Sequence, residues 1–214
     1  MENRGIVAAI AAVVVVIVVV VAGAGTFLVL HGGGGTGPSG GNVTGKKALL
    51  IIAPTNFEDS EYTTTRNALQ QAGVTVSVAS STTTTATGSD GLQVTPDLSI
   101  ANVNVGNYDA VVFIGGTGCE TAYYDDSTAH SIVVAANNQG KVIGAICLAP
   151  GILANAGILN GKSATIWADH AGTLTNNGAT YTGQSVTVDG KIITANGPDA
   201  ATEFANAIKS ALGA

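Results

Sequence analysis

Charge is scarce in this chain. Lys, Arg, Asp and Glu together are 10% of its 214 residues. Basic residues are the scarcer half, 8 Lys+Arg against 14 Asp+Glu, for a net charge of −6. Nucleic-acid binding needs a basic footprint, so that function is excluded. The two cysteines cannot frame a disulfide-rich scaffold, although they permit one bridge outside the cytoplasm. No cluster of His, Cys, Asp and Glu has metal-ligand spacing, so no metal is expected. There is no internal repeat. Thr, Ser, Asn and Gly are plentiful, which makes the surface polar but largely uncharged.

One long apolar run is present. Residues 6–30 carry no charge and are dominated by Val, Ala and Gly. Their length suits a tilted transmembrane helix, and lipid enforces internal hydrogen bonding even on a Val-rich segment. A cleaved signal peptide is the competing reading, with Ala22-Gly-Ala-Gly25 as its cleavage site. Its apolar core is ordinarily much shorter, about 7–15 residues, which favours the anchor. Residues 1–5 then form a short cytoplasmic N-terminus with Arg4, and the C-terminal domain lies outside. Residues 31–45, with Gly32-Gly-Gly-Gly35 and Gly37-Pro-Ser-Gly-Gly41, read as a flexible linker. Asn42-Val-Thr44 is a glycosylation sequon that agrees weakly with this orientation.

Residues 46–214 have the length of one domain. Lys47-Ala-Leu-Leu-Ile-Ile-Ala53 is a buried-strand run bounded by Pro54. A helix follows over 59–72, stopped by Gly73, and then the alternating strand Val74-Thr-Val-Ser-Val-Ala79. Asp109-Ala-Val-Val-Phe-Ile114 is a further strand, ending at Gly115-Gly116. A helix over 128–138 leads to Lys141-Val-Ile-Gly-Ala-Ile-Cys147. Ser163-Ala-Thr-Ile-Trp167 is a strand, Asp189-Gly190 turns a hairpin over 185–195, and a helix over 199–212 closes the chain. Strands alternating with helices predict an α/β sandwich with a mostly parallel sheet and its site beyond the strands' carboxyl ends.

Cys147 falls where a buried strand turns into the helix opened by Pro150. That is the place of a nucleophile elbow, and a helix N-terminus there favours a thiolate. The alternative is an inert buried thiol, since free Cys is among the most buried residue types. The topology brings three segments to this end: Pro54-Thr-Asn-Phe-Glu58, Gly115-Gly-Thr-Gly-Cys-Glu120, and Cys147-Leu148. Glu58 opens a helix and offers a carboxyl to the sulfur. The backbone N–H groups of Gly116 and Leu148 are candidates for an oxyanion hole.

These residues resemble the ThiJ/PfpI superfamily. The resemblance is carried by Phe57-Glu-Asp59, Gly115-Gly116, Ala145-Ile-Cys147 and Ala149-Pro-Gly-Ile-Leu-Ala-Asn-Ala-Gly157. Gly161-Lys-Ser-Ala-Thr165, Val188-Asp-Gly-Lys-Ile-Ile-Thr194 and Gly197-Pro198 extend it, in order, from Lys46 onward. It implies a flavodoxin-like three-layer sandwich of the class I glutamine amidotransferase type, without a cofactor. It implies Cys147 as nucleophile and Glu58 as its carboxyl partner, and it leaves a homodimer or higher homo-oligomer open. PfpI-type peptidases place His after the cysteine, where this chain has Leu148. Glu120 matches the glutamate that orients that His, and so loses its usual partner. The deglycase-like branch also lacks that His, and His170 is a candidate base from the region where that branch supplies one. His130 is expected on a solvated helix face. Cys119, near the elbow, is a resolving thiol, a bridge partner to Cys147, or a bystander.

Two classes of function follow from the resemblance. One is a membrane-anchored glyoxalase or deglycase acting on small reactive carbonyls or on modified proteins. The other is a non-catalytic redox sensor or stress-binding module. A peptidase is a weaker third, because Leu148 cannot move a proton.

Overall fold

The structure is a computed structural model and describes residues 43–213. The proposed anchor, residues 6–30, and the sequon Asn42 lie outside the described residues. No helix among the described residues is long and apolar enough to cross a membrane. The domain begins slightly earlier than the linker reading places it. Val43 is buried in the core, and the Gly45 N–H donates to the Gly73 carbonyl at 3.3 Å.

The chain runs β1 (Lys47–Ile51), β2 (Thr55–Phe57), α1 (Asp59–Gln71), β3 (Thr75–Ser80), β4 (Ala86–Gly88), β5 (Gln93–Val94) and β6 (Leu98–Ser99). It continues through β7 (Ala110–Phe113), α2 (Thr117–Tyr123), α3 (Ser127–Asn138), β8 (Val142–Ile146) and α4 (Pro150–Asn155). It closes with β9 (Ser163–Ala164), α5 (Ala171–Asn176), β10 (Thr180–Tyr181), β11 (Val186–Asp189), β12 (Ile192–Ala195) and α6 (Ala201–Gly213). One seven-stranded sheet has the order β11-β12-β8-β7-β1-β3-β6. Every neighbouring pair in it is parallel except β11 with β12, the hairpin turned at Asp189-Gly190. The predicted strand over 163–167 is shorter than its apolar pattern suggests. Only Ser163 and Ala164 pair, and they pair with β10 outside the main sheet.

The sheet order explains where the site is. β1 lies inside the sheet, with β3 on one side and β7 on the other. The chain leaves β1 toward β3 and leaves β7 the opposite way toward β8, so a crevice opens beyond the carboxyl ends of these two strands. Ala48 through Ala53 and Ala110 through Phe113 have no exposure at all, as covering on both faces requires. α1 and α6 pack together, α6 lies across β8 and β12, and α3 lies across β7 and β8. Each fully buried Leu, Ile or Phe contributes roughly 1.5–3 kcal/mol relative to exposure. That packing fixes the strand ends on which the loops of the site are mounted.

Candidate active site

Cys147 follows directly on β8. Its φ is +60°, left-handed backbone that non-glycine residues seldom adopt. Two hydrogen bonds hold it there. Its N–H donates to the Ala195 carbonyl at 2.9 Å, and its carbonyl accepts from the Trp167 N–H at 2.9 Å. The N–H groups of Gly116 and Leu148 point at the Cys147 sulfur. The side chain is 9% exposed and opens on a cavity of about 330 Å³. Glu58, Glu120, Leu148, Trp167 and His170 share the lining with Cys147.

The carboxyl that meets the thiol belongs to Glu61, not to Glu58. Glu58 is the residue preceding α1, in extended conformation, and its carboxylate accepts from the Ser60 hydroxyl at 2.9 Å. It lines the cavity but turns aside. Glu61 lies within the first turn, on the stripe Glu61, Thr65, Leu69 that α1 buries. It is completely buried, and its Oε2 accepts the Gly115 N–H at 3.0 Å. Its Oε1 has no N–H or O–H partner among the described residues. Burial raises the Glu61 carboxyl from an ordinary 4.5 to about 8, with the Glu58 charge adding to the shift and the Gly115 N–H opposing it. Glu61 is thus protonated through most of the neutral range.

The elbow position predicts an acidic thiol, and burial of the sulfur works against that. Burial, then the neighbouring Glu61 charge, pushes Cys147 up to about 12, against the pull of the Gly116 and Leu148 N–H groups. The physical reason is burial, since desolvation by the enclosing core outweighs the pull of those two N–H groups. Cys147 and Glu61 are thus neighbours whose protonation is linked.

Two glycines make this proximity attainable. A Cβ on Gly115 would meet the Cβ of Cys147 and Oε2 of Glu61. Gly116 has φ +94°, and its Cβ would strike the Asn56 carbonyl and the Glu58 amide. Gly116→Ala is expected to cost about 2 kcal/mol or more in urea denaturation, from backbone strain plus overpacking. An unchanged midpoint would contradict this placement.

His170 and Glu120 come together, which their separation of fifty residues hides. His170 Nδ1 lies 3.3 Å from Glu120 Oε1, and both residues face the cavity. His170 ends a short 3-10 helix, Ala168–His170, and Glu120 stands in α2. Glu120 therefore has a partner within the same chain, although position 148 is Leu. No hydrogen bond joins His170 to Cys147 among the described residues. His130 is not merely solvated, since its Nε2 lies 2.8 Å from the Tyr124 carbonyl. Cys119 is fully buried in α2, and both cysteines are free thiols. Burial foremost, and then the charges of Cys147, Glu120 and Glu61, holds the Cys119 thiol well above its usual pKa.

The family model described as DJ-1/PfpI family matches residues 46–211. The chain belongs to the DJ-1/PfpI family. A deglycase of Pyrococcus horikoshii is 31% identical over 150 residues, covering 70% of this chain and 90% of that one. A glutathione-independent glyoxalase of Caenorhabditis elegans is 28% identical over 160 residues, covering 75% and 85%. The crystal structure of a ThiJ/PfpI domain protein from Brachyspira murdochii superposes with a TM-score of 0.76 at 32% identity, covering 78% of this chain and 98% of that one. The flavodoxin-like α/β fold expected from the sequence is thereby established.

Proposed function

We propose that the protein is a cofactor-independent, membrane-anchored enzyme of the glyoxalase or deglycase type that attacks reactive carbonyls, or their adducts on proteins, through Cys147. One observation carries the reading. A thiol held on left-handed backbone at the cavity wall meets, on its buried side, the carboxyl of Glu61, whose burial raises it to about 8. The names of the Pyrococcus and Caenorhabditis relatives support the same class. The anchor rests on residues 6–30 of the sequence.

The residues assign themselves to steps. Glu61 as carboxylate takes the thiol proton, and sulfur adds to an aldehyde carbon to give a hemithioacetal. The Gly116 and Leu148 N–H groups, which point at the sulfur, are the nearest donors for the oxygen that gains charge beside it. For a 2-oxoaldehyde, a base then moves the C1 proton to C2, which gives the thioester of a 2-hydroxy acid. Water cleaves the thioester and frees the thiol. The sum is oxoaldehyde plus water giving hydroxy acid, so no reductant or oxidant is needed.

A peptidase demands more. An amine leaves only when protonated, and Leu148 offers no proton. The purified protein is therefore expected to convert methylglyoxal to lactate without glutathione, while hydrolysing peptide amides slowly or not at all. Amide turnover matching that of a Leu148→His variant would reverse the assignment. His170→Ala is expected to lower methylglyoxal turnover about ten-fold if the His170–Glu120 pair assists proton transfer. An unchanged rate would leave Glu61 alone in that role.

The buried Glu61 carboxyl that meets the Cys147 thiol also supports a second reading, a redox sensor. A protonated oxygen beside sulfur can donate to an oxidised cysteine as readily as it serves catalysis. Peroxide that inactivates no measurable turnover, yet leaves Cys147 oxidised, would favour the sensor.

A further inference from the structure

The charges of this domain are sorted along the strand axis. Glu58, Glu120, Asp169, Asp199 and Glu203 stand at the carboxyl end of the sheet, around the cavity or beside it. The chain's six lysines stand at or near the opposite end. Lys47 starts β1, while Lys141 and Lys191 immediately precede β8 and β12. Lys46, Lys141 and Lys191 rim one shallow cavity of about 230 Å³, which Leu212 of α6 also lines. Lys209 stands less than a turn before Leu212. Lys162 completes the set beside the hairpin turn, paired with Asp189 at 3.1 Å.

Few carboxylates neutralise this edge. Asp109 lies 3.6 Å from Lys46 and accepts the Lys47 N–H, and Asp189 serves Lys162. Lys47, Lys141, Lys191 and Lys209 make no ion pair among the described residues. Lys191 donates only to the Gly140 carbonyl, at 2.8 Å. A protein with net charge −6 thus presents one basic edge. The chain enters the domain at that edge, since Val43, Gly45 and Lys46 precede β1. The glycine-rich segment 31–45 ties this edge covalently to the uncharged segment 6–30.

We propose that the lysine edge is a docking surface for anionic lipid headgroups, which turns the Cys147 cavity away from the bilayer. The proposal rests on the membrane reading of residues 6–30. Charge complementarity selects the occupant. Lysines near a negatively charged bilayer attract it individually and weakly, within a Debye length. A covalent tether holds the domain at high effective concentration beside the surface, so weak attraction suffices. The carboxylates at the far end are repelled by the same surface, and this fixes the direction of the domain as well as its contact.

The test uses the full chain in nanodiscs of phosphatidylcholine alone or of phosphatidylcholine with phosphatidylglycerol. Acetylation of each lysine by an amine-reactive ester is followed by mass spectrometry. Lys47, Lys141 and Lys191 are expected to react roughly three- to ten-fold more slowly on the anionic discs, an effect erased by about 0.5 M NaCl. Trp167 is the one tryptophan in the chain, 44% exposed, at the cavity end. Headgroup-attached nitroxides are expected to leave its fluorescence unquenched. The double variant Lys141→Glu, Lys191→Glu should abolish the protection of Lys47. Equal lysine reactivity on both discs, or quenching of Trp167 on anionic discs, overturns the docking edge while the anchor stands. A chain retained by neither disc overturns the anchor, and the docking edge with it.

Discussion

Glu61→Gln is expected to reduce methylglyoxal turnover by roughly 10²- to 10⁴-fold, approaching the loss in Cys147→Ser, whereas Glu58→Gln keeps activity within about ten-fold of wild type. The contrast follows from where α1 puts the two carboxyls. Glu58 faces the cavity, with Ser60 on its oxygen. Glu61 is enclosed and meets the thiol directly. A Gln at position 61 preserves volume and still presents an oxygen to the Gly115 N–H, so the fold should persist. It cannot take up the thiol proton. With Cys147 held near 12, hardly any thiolate forms at neutral pH unless a neighbour accepts that proton. The assay is lactate formation by the purified variants, with a thermal melt confirming the fold of each. Full activity in Glu61→Gln, beside loss in Glu58→Gln, would restore the role that the sequence alone assigns to Glu58.

Why the sequence points to Glu58 and the fold to Glu61 is a matter of helix phase. The motif Phe57-Glu-Asp59 draws the eye to the first carboxyl after β2. That residue precedes the helix and its backbone is extended. The signal for Glu61 was present in the spacing Glu61, Thr65, Leu69, a stripe at i, i+4 and i+8. Its two polar members make that stripe look solvated, because burying a carboxyl is costly unless it is neutral or hydrogen-bonded. The elbow was legible for the opposite reason. The apolar run into Cys147 and Pro150 just beyond it leave the chain one place to turn. The parallel sheet was legible in the same way, from continuous apolar runs with helical spacing between them.

The His170–Glu120 pair was hidden because its members lie on separate connections, and only the sheet order brings those connections together. The burial that opposes an acidic thiol was hidden too, because a sequence shows the helix that follows a cysteine but not the packing around the sulfur.

The shifted Glu61 carboxyl sets two pH dependences that must agree. Turnover requires its carboxylate form, so the rate should rise with pH through an apparent pKa near 8, a value belonging to the Cys147–Glu61 pair jointly. Stability should move the other way. In the unfolded chain Glu61 ionises around 4.5, and in the folded protein around 8. Between those values the folded state holds a proton that the unfolded state has released. Stability from this group is therefore fully present below about 4.5 and is lost as pH rises through about 8. At about 1.4 kcal/mol per pKa unit, the loss is on the order of several kcal/mol. Glu61→Gln has no proton to lose, so its stability should be flatter with pH and exceed wild type most clearly at the alkaline end. Urea unfolding of both proteins at pH 5, 7 and 9 reads this directly. Parallel stability curves for the two would show that Glu61 ionises normally, and would remove the basis for assigning the rising limb of the rate to it.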